Sequence, residues 1–322
     1  MKLKDWGEEN FIAFLQSQFE PPSQAVGIGD DCAVLAKGRG FQLITTDALV
    51  EDIHFTDAVT PENLGFKTVA VNVSDIAAKG GRPEHAFLTL ALPAALDVQW
   101  LKRFMQGFKL ACERYNISLL GGDTVGSKQS IFINLTLLGS AKKVKLRSSA
   151  KIGDVIAVSG FLGDSLAGLM LMQQNIGSKF TPLVEAHTTP DVYPEQGQWL
   201  ASQSSVHAMM DVSDGLDSDL RKLLKASGCG ARINADCFPT SNALQKACKL
   251  LDWNLMEIAA TGGEDYVLLC TVDSDDFPKV AKGFERRFAS PLHPIGVIEE
   301  KGLKYLSNGK PMPLSVLPFS HF

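Results

Sequence analysis

The chain has 322 residues, of which 45% are hydrophobic and 21% charged, and its formal net charge is −5. This length predicts two domains of about 150 residues each, and the composition is typical of a soluble globular protein. The acidic balance argues against a nucleic-acid-binding surface, and the lack of any apolar run of about 18 residues argues against a transmembrane helix.

The N-terminal segment and the cysteines predict a cytoplasmic protein. Residues 1–9 are charged and lack the apolar core of a signal peptide. The six cysteines are scattered and include no Cys-x-x-Cys pair, which argues against a zinc site and against a disulfide framework. We expect reduced, mostly buried thiols.

The first half of the chain alternates between helical and strand patterns. Apolar spacing predicts helices over 8–19, 62–79 and 100–115, and strands over 41–46, 85–92, 117–120 and 131–138. Thr60-Pro61 is typical of a helix start, and Gly80-Gly81 of a helix end. The basic segment 141–153 has no apolar periodicity, so it is predicted to connect two domains.

The second half repeats this alternation. Strands are predicted over 155–159, 208–210 and 267–272, and helices over 164–174, from 195, over 216–226 and over 240–251. A segment rich in Pro, Thr and His, 181–194, is predicted to be a loop. The alternation predicts an α/β or α+β architecture.

Carboxylates stand at many predicted element boundaries, next to glycines or small hydroxyl residues. A single Asp in such a place is usually a turn-former or a cap, but six of them favour a shared cation site: Asp30, Asp47, Asp75, Asp123, Asp211 and Asp214. Oxygen ligands without His or Cys indicate a hard cation such as Mg²⁺ or Mn²⁺. Because Mg²⁺ in proteins is commonly shared with substrate phosphates, these residues predict nucleotide-dependent phosphoryl transfer.

Two short signatures recur in the same order in the two halves. Val73-Ser74-Asp75 precedes Gly121-Gly122-Asp123, and Val212-Ser213-Asp214 precedes Gly262-Gly263-Glu264. Duplication of an ancestral unit and chance recurrence of short motifs both remain open.

The common nucleotide-binding motifs are missing from the sequence. Gly126-Ser127-Lys128 breaks the ending of a P-loop, and no Gly-x-Gly-x-x-Gly follows a predicted strand. A nucleotide would instead be held by metal ions, by the backbone amides of Gly121-Gly122 and by a cation such as Arg147. Arg147 has a second interpretation, as a solvated charge of the connecting segment.

Seven motifs in order resemble those of the thiamine-monophosphate kinase family. They are Gly27-Ile-Gly-Asp-Asp31, Thr45-Thr-Asp47, Asp52-Ile-His-Phe55, Asn72-Val-Ser-Asp-Ile-Ala-Ala78, Gly121-Gly-Asp-Thr124, Asp211-Val-Ser-Asp-Gly-Leu216 and Gly262-Gly-Glu-Asp-Tyr266. The C-terminal Phe319-Ser-His-Phe322 is similar to the aromatic ending of that family. The wider superfamily includes aminoimidazole ribonucleotide synthetase and selenophosphate synthetase.

The resemblance implies an α/β (α+β) two-domain architecture of mixed sheets packed with helices. Residues 1–140 would form an N-terminal domain for metal, ATP and dimerisation, 141–153 the connection, and 154–322 a C-terminal domain that completes the active site. The implied protein is a cytoplasmic homodimer that uses ATP and several Mg²⁺ ions. It would transfer the γ-phosphoryl group directly to thiamine monophosphate and form thiamine diphosphate.

The resemblance also implies roles for individual residues. The metal ligands would be Asp30, Thr45, Thr46, Asp47, Asp75, Asp123, Asp211 and Asp214, with Asp47 and Asp123 catalytic. The ATP contacts would be Gly122, Asp123, Arg147 and Ser213. The thiamine phosphate would meet His54, Glu264 and Phe319, because its cationic thiazolium suits a carboxylate and an aromatic ring. Asp31 is left to organise its turn.

Several residues depart from the family pattern. Lys79 stands where the family usually has Met, Val267 where it often has Glu, and Ser148-Ser149-Ala150 where Ser-Gly-Ala is usual. An Arg common in the family after Pro194 is missing. Two alternatives therefore stay open: a related enzyme that uses ATP on another small molecule, and a non-catalytic thiamine-phosphate or nucleotide binder.

Overall fold

The computed structural model describes residues 6–19 and 21–314, and its strands form two mixed sheets. The predicted mixed α/β fold class is confirmed. Phe319 and the rest of the C-terminal motif lie outside the described residues. None of the helices described combines the length and the apolar sequence that a membrane span requires.

The first sheet has six strands in the order β1-β2-β3-β6-β4-β5, with β4 and β5 parallel. The elements of this half are α1 (Glu8–Gln18), β1 (Ala25–Val26), β2 (Ala33–Lys37), β3 (Gly40–Val50), α2 (Pro61–Ala78), β4 (Arg82–Pro93), α3 (Val98–Tyr115), β5 (Ser118–Ser127) and β6 (Phe132–Ala141).

The second sheet has seven strands in the order β13-β12-β9-β11-β7-β10-β8. The elements of this half are β7 (Val155–Val158), α4 (Asp164–Gln173), α5 (Thr181–Thr188), α6 (Pro194–Ser202), β8 (Val206–Asp211), α7 (Leu216–Ser227), β9 (Gly230–Asn234), α8 (Asn242–Leu251), α9 (Leu255–Thr261), β10 (Leu268–Val272), α10 (Phe277–Phe288), β11 (His293–Glu299), β12 (Leu303–Ser307) and β13 (Lys310–Pro311). A short 3₁₀ helix, Arg147–Ser149, lies between the sheets in sequence.

Helix α2 lies in the middle of the molecule and is buried almost all round, as its largely apolar sequence requires. The Thr60 hydroxyl accepts a hydrogen bond from the backbone N–H of Asn63, so it caps the first turn. Glycines allow the neighbouring helices to approach closely: a Cβ at Gly107 of α3 would lie 1.7 Å from the Glu62 carbonyl oxygen, and one at Gly197 of α6 would lie 2.1 Å from that of Ala77. Helix α2 therefore belongs to the core of both halves.

The two faces of the first sheet differ in burial. Asp47, Leu135, Leu88 and Gly122 form one row across β3, β6, β4 and β5, and both leucines are buried. Because side chains alternate along a strand, the next residue, Asp123, faces the opposite side of the sheet. Strand β5 is exposed along almost its whole length.

Several predicted boundaries are wrong. Strand β3 continues through Asp47, and β5 continues through Gly121-Gly122-Asp123, so these acids lie within strands and not after them. The segment predicted as a loop over 181–194 contains α5, which starts with Pro182 in its first turn. Proline usually indicates a loop, but it is tolerated in the first turn of a helix, because the backbone N–H groups of that turn have no partner within the helix.

Candidate functional site

Three carboxylates from distant parts of the chain meet between the two halves. Asp31 precedes β2, Asp75 lies in the last turn of α2, and Asp211 ends β8. One oxygen of each lies within 4.8 Å of the others. Asp31 and Asp211 are buried and Asp75 is half-buried, so the group is largely shielded from water.

Hydroxyl groups orient two of these carboxylates. Thr45 Oγ1 donates to Asp75 Oδ2, and Ser74 Oγ donates to Asp211 Oδ2 at 2.5 Å. Burial and the neighbouring carboxylates still raise the pKa values of Asp75 and Asp211 above the ordinary range. A cation bound beside Asp75 and Asp211 would therefore stabilise their ionised forms.

Asp31 differs from Asp75 and Asp211 because two positively charged side chains contact it. Lys79 Nζ lies 2.6 Å from Asp31 Oδ2, and the Arg147 guanidinium donates from Nε to Oδ1 at 3.1 Å and from Nη2 to the same oxygen. Burial alone would raise the pKa of Asp31, but Lys79 and Arg147 outweigh it and lower that pKa. Asp31 is therefore ionised in the folded protein.

The two adjacent acids have different surroundings in the structure. Asp31, expected only to organise the turn, belongs to the carboxylate group, and Asp30 lies beside it. Asp30 Oδ1 accepts from the Asp31 backbone N–H at 2.9 Å, and Oδ2 accepts from the Arg147 backbone N–H at 3.2 Å. Both acids fit the motif in sequence, and only the backbone direction at the turn distinguishes them.

A second pair of acids extends the site. Burial and the nearby Asp214 carboxylate raise the pKa of Asp47, so acids from both halves lie near each other here. Lys222 Nζ donates to Asp214 Oδ2. The buried Asp219 carboxylate accepts from the backbone N–H groups of Ser213 and Asp214, each at 2.9 Å, and fixes this turn.

Two of the predicted metal residues face the open side of the first sheet. Thr46 Oγ1 lies 3.2 Å from Thr136 Oγ1 and accepts from Asn134 Nδ2 at 2.9 Å, whereas its neighbour Thr45 points to Asp75. Asp123 is exposed on the edge strand. Gly122, next to it, has no room for a side chain, because a Cβ would lie 1.7 Å from the Leu88 carbonyl oxygen.

Glu264 forms the centre of a separate polar cluster. Lys67 Nζ lies 2.9 Å from Glu264 Oε1 and 3.0 Å from Oε2, and His187 Nδ1 lies 3.2 Å from Oε2. Burial opposes ionisation, but Lys67 and His187 outweigh it and lower the pKa of Glu264 to about 2. The backbone at Glu264 has φ +64°, and its N–H donates to the Ser213 carbonyl oxygen at 2.7 Å, which links the cluster to the end of β8.

His54 lies after β3 and is half-buried. Its Nδ1 accepts from the backbone N–H of Val50 at 3.1 Å, which leaves the ring proton on Nε2 in the neutral form.

A cavity of about 550 Å³ lies next to the Glu264 cluster and does not include the carboxylate group. Pro182 and Glu185 of α5 line it, while His187 of the same helix reaches Glu264. Asp265 forms part of its wall.

Sequence reasoning predicted Arg147 as a cation of the site but missed Lys79 and both cations of the Glu264 cluster, Lys67 and His187. Lys67 was one signal, since it interrupts the apolar run of a helix that is otherwise core. Lys79 was noted only as a departure from a family pattern, and His187 fell in a segment predicted to be a loop. Their partners are too distant in sequence for a local pattern to show.

The oxygen atoms of Asp31, Asp75 and Asp211 suit a hard cation such as Mg²⁺. Such a cation would stabilise the ionised forms of Asp75 and Asp211, whose pKa values are raised. Thr45 and Ser74 hold two of the ligands in place. No His or Cys belongs to this group in the part of the chain that the structure describes. A cation held here would neutralise the charge of bound phosphates.

Comparisons with known proteins identify the relatives of this chain. Two family models match in order: AIR synthase related protein, N-terminal domain, over residues 29–141, and AIR synthase related protein, C-terminal domain, over 151–307. Thiamine-monophosphate kinase of Buchnera aphidicola subsp. Acyrthosiphon pisum is 37% identical and covers 96% of each chain. AaThiL complexed with AMPPCP and TMP superposes with a TM-score of 0.87 at 33% identity, over 100% of this chain and 99% of that one.

Hydrogenase maturation protein HypE of E. coli superposes with a TM-score of 0.68 at 21% identity, over 86% of this chain and 87% of that one, and shows the fold alone. Both domain models and relatives above one third identity span most of the sequence. The chain belongs to the thiamine-monophosphate kinase family of AIR synthase related proteins.

Proposed function

We propose that this chain transfers the γ-phosphoryl group of ATP directly to thiamine monophosphate, with Mg²⁺, and forms thiamine diphosphate and ADP. The observation that carries the proposal is the carboxylate group of Asp31, Asp75 and Asp211, assembled from both halves. The likeness of the whole chain to AaThiL, a protein solved with AMPPCP and TMP, supports ATP and thiamine monophosphate as the two substrates.

Mg²⁺ bound at these carboxylates would neutralise phosphate charge and orient the transferred group. Thr45 and Ser74 hold Asp75 and Asp211 in position for it. Asp30, Thr45, Thr46, Asp47, Asp123 and Asp214 stay predictions as further metal ligands, with Asp47 and Asp123 as catalytic residues.

Arg147 has the chemistry of a phosphate-binding residue. Asp31 engages its Nε and Nη2 atoms, and the planar guanidinium retains further N–H donors. Because Asp31 fixes the side chain, a bound nucleotide would meet a cation that is already ordered. Gly122, Asp123 and Ser213 remain predicted ATP contacts.

The phosphate of thiamine monophosphate is already a nucleophile at neutral pH. A phosphate monoester has its second pKa near about 6, so its oxygens are ionised at neutral pH and no strong base is required. The difficulty is to bring two anions together in line, and metal ions together with the Arg147 guanidinium would offset their repulsion. Residues of this chain thus act by positioning and by electrostatics.

Glu264, His54 and Phe319 are proposed to bind the thiamine phosphate. Lys67 and His187 already balance the Glu264 carboxylate, so attraction to a thiazolium cation is weaker than for an isolated acid. Glu264 is instead a hydrogen-bond acceptor whose orientation is fixed. A fixed carboxylate suits the recognition of one substrate geometry, here that of thiamine monophosphate.

We also propose a homodimer that forms through the first sheet. Strand β5 is an exposed edge, and it carries apolar side chains that include Leu119, Leu120 and Val125. Unpaired backbone groups and exposed apolar residues on one edge favour pairing with another chain. A second subunit would cover this edge, where Asp123 also lies.

The predicted division into 1–140, 141–153 and 154–322 is retained as part of this proposal, since each larger segment contains one sheet. A cytoplasmic location is proposed as well. All six cysteines are free in the structure, which suits a reducing compartment.

The first test is turnover. The purified protein, given ATP, Mg²⁺ and thiamine monophosphate, is expected to form thiamine diphosphate, and Asp211→Asn is expected to lower kcat about 100-fold or more by removing an anionic ligand. The exposed Asp275→Asn is the matched control and should retain wild-type kcat. Absence of product from the wild type would contradict the proposed reaction, and near-normal kcat in Asp211→Asn would contradict its metal role.

The second test is the pH dependence of stabilisation by Mg²⁺. Burial raises the pKa of Asp47 to about 6 and that of Asp211 to about 7. In the metal-free protein these raised values favour folding at low pH, and that contribution is lost as pH rises through about 6–7. Mg²⁺ competes with the same protons, so a fixed Mg²⁺ concentration should raise Tm more at pH 8 than at pH 6. An equal gain at both pH values would refute this.

The third test separates acceptor recognition from stability. Glu264→Gln leaves Lys67 buried without its anionic partner, so we expect a lower Tm and a KM for thiamine monophosphate raised about tenfold or more. The double variant Lys67→Met/Glu264→Gln should recover Tm but keep the high KM, with KM for ATP little changed. Recovery of both quantities together would assign Glu264 a purely structural role.

The fourth test concerns the dimer. In sedimentation velocity, the wild type is expected at twice the chain mass, and Val125→Asp on β5 should shift it to the monomer because a buried charge opposes association. Leu250→Asp, at an exposed position of α8, is the matched control. A monomeric wild type at micromolar concentration, or equal behaviour of the two variants, would speak against this interface.

A further inference from the structure

Lys79 is fully buried inside the carboxylate site. It directly follows α2, and its side chain has no solvent exposure. Its Nζ lies 2.5 Å from Asp30 Oδ1, 2.6 Å from Asp31 Oδ2 and 2.9 Å from the Met209 carbonyl oxygen. The ammonium donates hydrogen bonds to Asp30 Oδ1 and to the Met209 carbonyl oxygen, and its contact with Asp31 Oδ2 is an ion pair.

The surroundings of Lys79 hold it in place. The backbone turns immediately after it at Gly80, where φ is +75° and a Cβ would lie 2.2 Å from Ala201 Cβ. To leave the site, the ammonium would have to cross the core and leave Asp30 and Asp31 facing each other. Arg147 would then be the remaining cation beside these two carboxylates, which repel each other.

Lys222 shows the contrast within the same site. It contacts Asp214 as Lys79 contacts Asp31, but its side chain is 31% exposed. Lys222 can therefore rotate into water when a cation or phosphate approaches. Lys79 has no such route.

The charges around Lys79 and in the carboxylate group are counted here apart from those of Asp47, Asp214, Asp219 and Lys222. Asp30, Asp31, Asp75 and Asp211 carry up to four negative charges, and Lys79 and Arg147 supply two positive ones. Two negative charges remain, which is what one divalent cation neutralises. The position between Asp30 and Asp31 is already filled by Lys79.

We propose that the Lys79 ammonium is a permanent internal cation of this site, filling a position between Asp30 and Asp31 that a divalent ion would otherwise take. This rests on the proposed Mg²⁺ site at Asp75 and Asp211, and it states how many ions that part of the site accepts. This inference replaces the predicted role of Asp30 as a metal ligand, because Asp30 then acts on the site through Lys79.

The first experiment counts metal ions in the absence of nucleotide. Mn²⁺ is titrated into the metal-free full-length protein, and free Mn²⁺ is followed by electron paramagnetic resonance. Lys79→Met is expected to bind one more Mn²⁺ per chain than the wild type. Lys109→Met, which removes an exposed lysine from α3, is the matched control and should bind as many as the wild type. No additional ion in Lys79→Met would overturn the proposal.

Thermal stability gives a second readout of the same variant. Metal-free Lys79→Met should have a lower Tm than the wild type, and Mn²⁺ should recover most of the loss, because the ion replaces the missing charge. Lys109→Met should show neither effect. A loss of Tm that Mn²⁺ does not recover would mean that Lys79 is needed only for packing.

The wild type decides the question even if Lys79→Met does not fold. In crystals grown with Mn²⁺, the anomalous signal should lie at Asp75 and Asp211, with the Lys79 ammonium still between Asp30 and Asp31. An Mn²⁺ peak bridging Asp30 and Asp31, with Lys79 displaced, would overturn the proposal. Turnover is measured separately: its absence contradicts the proposed function, whereas the ion count and the position of Lys79 decide this inference.

Discussion

The structure depends on placing several carboxylates in a junction that water scarcely reaches. Asp31, Asp75 and Asp211 lie close together there, and burial together with the neighbouring carboxylates raises the pKa values of Asp75 and Asp211. Lys79 and Arg147 neutralise the remaining member, so the metal-free protein can hold the group together. The negative charge that remains is positioned to bind a cation and, through it, phosphates. Electrostatics therefore dominates the proposed chemistry, and no nucleophile or strong base of the protein is needed.

Helix α2 connects this site to the scaffold. It packs against α3 and α6 through close glycine contacts, and it provides Asp75 to the carboxylate group. The same helix provides Lys67 to the cluster at Glu264. Because α2 lies in the core of both halves, a change in its position would move the candidate metal site and the candidate acceptor site together.

Much of the fold could be predicted from periodicity, because long amphipathic or buried segments such as α3 and β4 have strong local patterns. The misses are short or misleading segments. A proline indicates a loop over 181–194, but Pro182 lies in the first turn of α5. The pair Gly121-Gly122 predicts that β5 ends at residue 120, because glycine pairs usually mark turns, but the strand continues to Ser127. An edge strand tolerates glycine when the neighbouring backbone is close, as Leu88 is to Gly122.

The sequence by itself determined the family, through the order of its motifs, and it predicted a hard cation from oxygen ligands without His or Cys. Only the tertiary structure decided that Asp31 joins the carboxylate group, that Thr46 faces away from it, and that Glu264 is paired with Lys67, 197 residues earlier in the chain. The physical reason is that a motif fixes residue types, whereas side-chain direction and partners depend on backbone alternation and on packing between distant segments.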